Sequence, residues 1–414
     1  MNPSPLSPLA RSAVLAAACL GLLFDGIELG LMPIASRSVS KSLLGEGYTE
    51  AAAGDWFARF TAALMLGAAI GGIVLGNLGD RIGRTRAMGI SILFYSVFAA
   101  LGTWVRTQEE MLILRFVVGL GVGGMWPNGM ALVTECWPAA SRPLVSGVMS
   151  AALNAGILLL SQLARIWPIT PDSWRWLFLL AGIPAVLGVV VLALLPESPT
   201  WLASRRAANR PPPPVRELFR PELLRITLVA ILLASIPLVG AWSASKWMIP
   251  WADHVAGTAN STYKAATQGW WALGATIGSF TGAQLASLVG RRFSYLFISL
   301  CSTLLTLGMF QLTAPLEPAF HPVVFAQGFV ATLFFGWLAV FLPEMFPTRV
   351  RATGSGLAFN SGRFITAAGV FAAGGLFAIL GGDYARVGAI CSLIYCLGVV
   401  AIGFAPAKPR ELND

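Results

Sequence analysis

The sequence predicts an all-α membrane protein, with twelve spanning helices divided into two pseudo-symmetric six-helix bundles. Three observations carry that reading. Of 414 residues, 56% are hydrophobic and only 11% are Asp, Glu, Lys or Arg, and the mean hydropathy is +0.72. A soluble protein carries roughly 25% charged residues. A chain with so few has too little polar surface to cover itself, so lipid must solvate its exterior. Next, apolar runs of about 20 residues, the length that crosses a hydrocarbon core, recur along the whole chain. Finally, the halves echo each other. Glu135, Pro138 and Arg142 read Glu-x-x-Pro-x-x-x-Arg, and Glu344, Pro347 and Arg351 repeat the pattern 209 positions later; Gly83-Arg84 recurs as Gly290-Arg291 at an offset of 207. A duplicated membrane module is the plan of a secondary transporter rather than an enzyme.

The runs fall at 12–34, 55–79, 87–105, 111–135, 143–167 and 174–195 in the first half. In the second they fall at 224–250, 268–289, 293–314, 321–343, 352–380 and 386–405. The expected units are therefore an N-terminal bundle at 1–196, a linker at 197–223 and a C-terminal bundle at 224–414. The linker holds Arg205, Arg206, Arg210, Arg216 and Arg220 and the run Pro211 to Pro214. Consecutive prolines favour an extended, semi-rigid spacer. The first run follows Arg11 as a leader peptide would. It continues to about Pro33 and contains Asp25 and Glu28, so it is read as a retained helix.

Positive charge alternates between loops. One set carries Arg11, Arg81, Arg84, Arg86, Arg142, the linker arginines, Arg291, Arg292, Arg349, Arg351, Lys408 and Arg410. The opposite set has chiefly Arg37, Lys41, Arg106, Lys264 and Arg386. The richer side is cytoplasmic by the positive-inside rule. Both termini are expected there, in a plasma membrane of the bacterial inner-membrane kind. The net charge of +9 is dispersed over short loops, with no polar domain to carry nucleic-acid contacts. The five cysteines and two histidines show no metal-ligand spacing and imply buried free thiols. Neither a metal nor a cofactor is expected.

Between the second and third runs stands Gly76-Asn77-Leu78-Gly79-Asp80-Arg81-Ile82-Gly83-Arg84-Thr85-Arg86. Glycines suit a short loop that turns tightly and lets helices approach. This stretch resembles the loop signature of the major facilitator superfamily. The resemblance assigns Asp80, with Gly76, Arg81, Gly83 and Arg84, to a cytoplasmic gate that contacts the other half near the start of the eleventh helix. Ser287 occupies the equivalent place in the second half, so the gate is expected to be asymmetric. The two Glu-x-x-Pro-x-x-x-Arg copies, through Glu135, Arg142, Glu344 and Arg351, are expected to latch the same face. Pro196-Glu197-Ser198-Pro199-Thr200-Trp201-Leu202 resembles the end-of-sixth-helix signature of sugar porters and related organic-ion carriers, and places Glu197 in that network. Thr200 stands where an arginine is common, and Pro406 to Asp414 lacks the acidic motif that sugar porters carry after the twelfth helix.

Phe24-Asp25-Gly26-Ile27-Glu28 sets two carboxyl groups three residues apart in the first run. An ionised carboxylate in mid-membrane costs on the order of 3 kcal/mol or more, so it is retained where it meets water, a proton or a cation. The stretch resembles the Asp-Gly-x-Asp motif of aromatic-acid:proton symporters, with Glu28 in place of the second aspartate. The sugar-porter branch pairs its proton-responsive acid with an arginine early in the fourth helix, which Arg115 matches. Burial disfavours the ionised form of Glu28 and Arg115 favours it. A pair that opens and closes as the bundles rock would tie proton affinity to conformation. The bland alternative is a structural bridge in a uniporter.

Two further cations lie inside runs: Lys246 in the seventh, and Arg363 in the eleventh, within Asn360-Ser361-Gly362-Arg363. Organic-anion carriers use an arginine at the latter place to hold a carboxylate, for which its planar fork is suited. Arg363 could instead neutralise a protein acid. Trp126, Trp242 and Trp337 are the expected cavity walls, whereas Trp247, Trp251, Trp270 and Trp271 are expected in packing or interfacial roles. Gly119-Leu120-Gly121-Val122-Gly123-Gly124 imitates a dinucleotide fingerprint. It lies inside an apolar helix, where small residues permit close packing instead.

The expected function is proton-coupled import of a small organic anion such as an aromatic acid, sialate or another carboxylate. Asp25, Glu28 and Arg115 would handle protons, and Lys246, Arg363 and Asn360 the cargo. A proton-coupled sugar or polyol symporter is the alternative. A solute sensor is disfavoured, because such proteins carry an appended signalling segment and about nine residues follow the last run. One chain suffices for a complete pathway, so a functional monomer is expected.

Overall fold

The computed structural model describes residues 6–137, 142–206, 215–347 and 350–406; Pro138, residues 211–214 and the side chain of Arg142 lie outside them. Twelve helices are long and apolar enough to span a membrane, and the described residues contain no strand. They are α1 Pro8–Leu44, α2 Glu50–Ile82, α3 Arg84–Leu101, α4 Gln108–Cys136, α5 Arg142–Ile166 and α6 Trp176–Leu194. In the second half they are α7 Pro221–Ala256, α8 Tyr263–Val289, α9 Arg291–Gln311, α10 Phe320–Glu344, α11 Arg351–Ile379 and α12 Tyr384–Phe404. The linker adds a short helix, Pro199–Arg206.

Local chemistry sets the helix starts. Ser7 accepts from Ala10 N with Pro8 in the first turn, Thr49 accepts from Ala52 N, and Asp383 accepts from Arg386 N. Thr107 and Glu110 form a reciprocal capping box at α4. The repeat read from the sequence is also a repeat of backbone. Gly83 and Gly290, which end α2 and α8, take φ of 114° and 96°, where a side chain is strained.

Small residues bring the helices together. A Cβ on Gly119 would lie 2.4 Å from Leu64 O and one on Gly123 2.2 Å from Ala68 O, so the glycine-rich run of α4 packs against α2. Helices α1 and α5 cross where a Cβ on Gly26 would meet Leu153 O, and one on Gly156 would meet Leu23 O, both at 1.8 Å. Long apolar side chains such as Leu194, Leu288 and Ile379 point outward, toward lipid in a spanning bundle.

The buried core is not symmetric between faces. One apolar cluster takes in the first half along its length and, on the face away from the chain ends, joins it to the second half through Val39, Phe57, Trp247, Phe377 and Tyr384. Trp247 meets Phe57 edge-on and stacks on Phe377, at centroid distances of 5.1 and 4.9 Å. On the face of the chain ends, a separate cluster from Leu218 to Ala405 belongs to the second half alone. Among the described residues, an apolar cluster thus joins the halves at one end and none joins them at the other.

Two helices differ from expectation. α1 runs ten residues past the expected end at 34, so Arg37 and Lys41 are helical rather than loop residues; Lys264 likewise lies in α8. α7 extends to Ala256 and is irregular within, with Pro237, a π turn over Gly240–Ala244 and a 3-10 turn over Ser245–Trp247. A wide turn inside a helix re-aims the side chains that follow. Gly240 O accepts both the backbone N–H and, at 3.3 Å, the hydroxyl of Ser245.

Candidate functional site

A central cavity lies where the halves part. Its wall includes Asp25 and Leu29 of α1, Met65 of α2, Trp126 of α4, Asn154 of α5, Trp242 and Lys246 of α7, Trp271 and Ser279 of α8, and Phe359 and Arg363 of α11. Asn154 Nδ2 donates to Ser279 Oγ at 2.8 Å across the two halves. A second hollow, lined by Pro127, Met130, Leu342, Ser355 and Asn360, shares Trp126, Phe335, Phe359 and Arg363 with the first. It belongs to the face of the chain ends, so Arg363 stands at the passage from that face into the cavity.

Lys246 is the least compensated charge in the wall. It is 1% exposed, its Nζ has no hydrogen-bond partner, and among the described residues no carboxylate pairs with it. Its Nζ lies 3.2 Å from the centroid of the Trp271 ring and 5.8 Å from that of Trp242, the placement of a cation–π contact for the protonated form. A chain of amide and hydroxyl groups fixes the Trp271 face. Trp271 Nε1 donates to Gln327 Oε1 at 2.7 Å, and Gln327 Nε2 donates to Ser245 Oγ at 2.5 Å and Thr306 Oγ1 at 3.2 Å. Trp271, expected as packing, is therefore a wall residue.

Asp25 faces the cavity at 2% exposure with Oδ1 unpartnered, within electrostatic reach of Arg363. Arg363 is partly exposed, donates to Ala68 O at 3.1 Å and lies over Phe359. Glu28, one turn on, points elsewhere. Arg115 Nη1 donates to Glu28 Oε2 at 2.7 Å and Nη2 to Glu28 O at 3.2 Å, with both side chains at 1% exposure or less. This pair forms a closed bridge between α1 and α4 behind the wall.

The expected residues therefore separate into groups. Lys246, Arg363, Trp126 and Trp242 share the cavity, and Asn360 lines the adjoining hollow. Trp337 does not: it is 1% exposed, donates to Arg291 O at 2.8 Å and packs on Tyr295 and Phe341, so it braces α9 against α10. The expectation of a Trp337 wall is thereby corrected.

The expected gate residues pair within halves. Asp80 binds Arg84, Arg84 Nε reaches Glu135 at 3.4 Å, and Glu135 accepts from Ser198. Glu197 accepts from the backbone N–H groups of Thr85 and Ser198 at 3.1 and 2.9 Å, and Trp201 Nε1 donates to Asp80 O at 2.9 Å. Arg291 pairs with Glu344 in the second half, so the duplicated motifs give the same ion pair twice. Arg351 Nε donates to Phe346 O at 3.4 Å, Arg81 is exposed, and Gly76 has open space around it apart from Pro127. Among the described residues, Asp80 pairs with Arg84 and not with α11.

Sequence reading missed the network that closes the opposite face. Arg37 Nη1 reaches Asp253 at 3.1 Å and Nε donates to Glu50 at 3.1 Å. Lys264 Nζ contacts Asp253 at 3.2 Å and donates to Ser38 at 3.0 Å, and Tyr384 OH donates to Glu50 at 3.2 Å. Arg37–Asp253, Lys264–Ser38 and Tyr384–Glu50 each tie one half to the other. The available signal was the absence of any glycine or further proline between Pro33 and Gly45, which lets the helix run on through Arg37 and Lys41. Arg37→Gln is expected to raise the reactivity of a cysteine introduced at the buried Ser40 toward an impermeant maleimide at least about tenfold, the population shift that about 1.4 kcal/mol supports. Unchanged labelling would show that the network does not hold this face shut.

Two bundles tied at one face, parted at the other and enclosing a charged, aromatic cavity define a membrane transporter of the alternating-access kind. The chain belongs to the Major Facilitator Superfamily, whose family model matches residues 13–370. Among curated relatives, it is 29% identical to the cis,cis-muconate transport protein of Acinetobacter baylyi, over 91% of this chain and 92% of that protein. It is 28% identical to a probable 4-methylmuconolactone transporter of Cupriavidus pinatubonensis, over 84% and 80%. Among solved structures, a D-xylose-proton symporter superposes with a TM-score of 0.74 at 18% identity, covering 96% of this chain and 99% of that one. That likeness is one of fold.

Proposed function

We propose that the protein imports a small organic anion, an aromatic acid or a related carboxylate, together with protons across a bacterial inner membrane. The face of the chain ends is the cytoplasmic one in this reading, so the cavity is open inward here. The observation that carries the proposal is Lys246, a basic group buried in the cavity wall with no anionic partner among the described residues. A buried unpaired charge is costly, and a substrate carboxylate supplies what the fold omits. Arg363, at the cavity mouth, offers a forked second donor, and the indoles of Trp126, Trp242 and Trp271 suit a flat cargo. The muconate and methylmuconolactone carriers among the relatives favour the same class. Asp25 is the helix 1 acid that meets the cavity and balances Arg363 when no cargo is bound; Glu28 and Arg115 hold that stretch in place.

The test is a thermal-shift screen of the purified protein against carboxylates and neutral sugars, since a bound ligand raises apparent stability with occupancy. Carboxylates are expected to stabilise. Arg363→Ala is expected to weaken their binding roughly a hundredfold, about 2–3 kcal/mol for a lost charged hydrogen-bond pair. Stabilisation by sugars alone, untouched by Arg363→Ala, would move the assignment to a sugar symporter.

A further inference from the structure

Five ionisable side chains surround the cavity, and their formal charges do not cancel. Glu28 and Arg115 neutralise each other at 2.7 Å behind the wall. Asp25 and Arg363, which share the cavity, offset one another at longer range. Lys246 is left over. The side chains that hold it bring no compensating charge: Trp242 and Trp271 are neutral rings, and Ser245 and Gln327 are occupied with each other. Tyr395 of α12 stands behind Ser245 at 3.5 Å. No other titratable group from α1, α2, α4, α5, α8, α10 or α11 lines this cavity among the described residues.

We propose that Lys246 carries the co-transported proton: it is a neutral amine in the empty cavity and an ammonium ion when one carboxylate is bound. The amine takes the proton from water on the side where the anion enters, and the ammonium forms an ion pair with the carboxylate. When the anion leaves on the other side, the proton leaves to water there. Empty and loaded carriers then hold the same charge, so one monoanion travels with one proton and no net charge moves. This inference rests on the organic-anion reading above, and it sets the proton of the loaded state on α7 rather than on α1.

Isothermal titration of the purified full-length protein with benzoate, in buffers of different ionisation enthalpy at one pH, counts the protons bound with the ligand. The expected result is about one proton taken up per benzoate, as linkage requires of a group that ionises on binding. Lys246→Arg, whose charge is permanent, is expected to bind benzoate with no proton uptake. In proteoliposomes, benzoate uptake by the unaltered protein is expected to respond to a pH gradient and to ignore an imposed potassium-diffusion potential. Failure of benzoate and other carboxylates to bind would sink the organic-anion reading itself. Binding without proton uptake, uptake undiminished in Lys246→Arg, or uptake driven by membrane potential would each overturn the Lys246 assignment alone. The potential measurement uses the unaltered chain, so a voltage-driven uptake would overturn the assignment even if Lys246→Arg fails to fold.

Discussion

Arg115→Met is expected to destabilise the protein by about 3–5 kcal/mol, because it leaves the Glu28 carboxylate buried without its partner. At 0% and 1% exposure neither group has water to fall back on. Glu28 would lose the 2.7 Å bond to its side chain and the 3.2 Å bond to its backbone oxygen together. The thermal unfolding midpoint in detergent checks this. Arg115→Met combined with Glu28→Gln should recover part of the loss, since the uncompensated charge is then removed as well. A single variant that melts with the unaltered protein would mean that Glu28 is already neutral or that water reaches it.

A still larger effect is expected from Gly156→Leu. Even its first side-chain carbon would lie 1.8 Å from Leu23 O and 3.2 Å from the Cα of Gly26. Backbone cannot yield as a side-chain tip does, so α1 and α5 must separate. The expected cost exceeds about 4 kcal/mol, beyond the range of ordinary substitutions. It should appear as loss of the monodisperse species on size exclusion. A normal elution profile would show that the two helices need not touch there. The same crossing carries Gly26, between Asp25 and Glu28, so the acid stretch is fixed by backbone contact.

Much of this was legible in the chain because the relevant signals are local or repeated. A long apolar run with few charges has one physical use, and all twelve such runs are spanning helices. The duplicated Gly-Arg and Glu-x-x-Pro patterns gave two equivalent ion pairs, Arg84–Glu135 and Arg291–Glu344. What escaped depends on direction and on distant partners. Asp25 and Glu28, three residues apart, sit about 60° apart around a helix, which is enough to send one into the cavity and the other toward α4. Trp337 and Trp271 were indistinguishable by sequence, since their helices are apolar on most sides and only tertiary packing decides which indole meets open space. Arg37 and Lys264 read as loop charges because their carboxylate, Asp253, comes from another helix. Burial by a remote counter-ion leaves no trace in local hydropathy.

The π turn of α7 has a bearing on how two duplicated modules acquired different work. A π turn accommodates one residue more than the α ladder around it, and everything beyond Ala244 is rotated accordingly. Lys246 owes its aim to that offset, as do Asp253 and His254 farther along the same helix. α1, at the matching place in the other module, continues as regular α-helix through its acids to Leu44. The two modules therefore differ in backbone register on this helix, and the aim of the lysine depends on that extra residue. Deleting one residue there would restore the symmetry and turn the lysine away from its cargo.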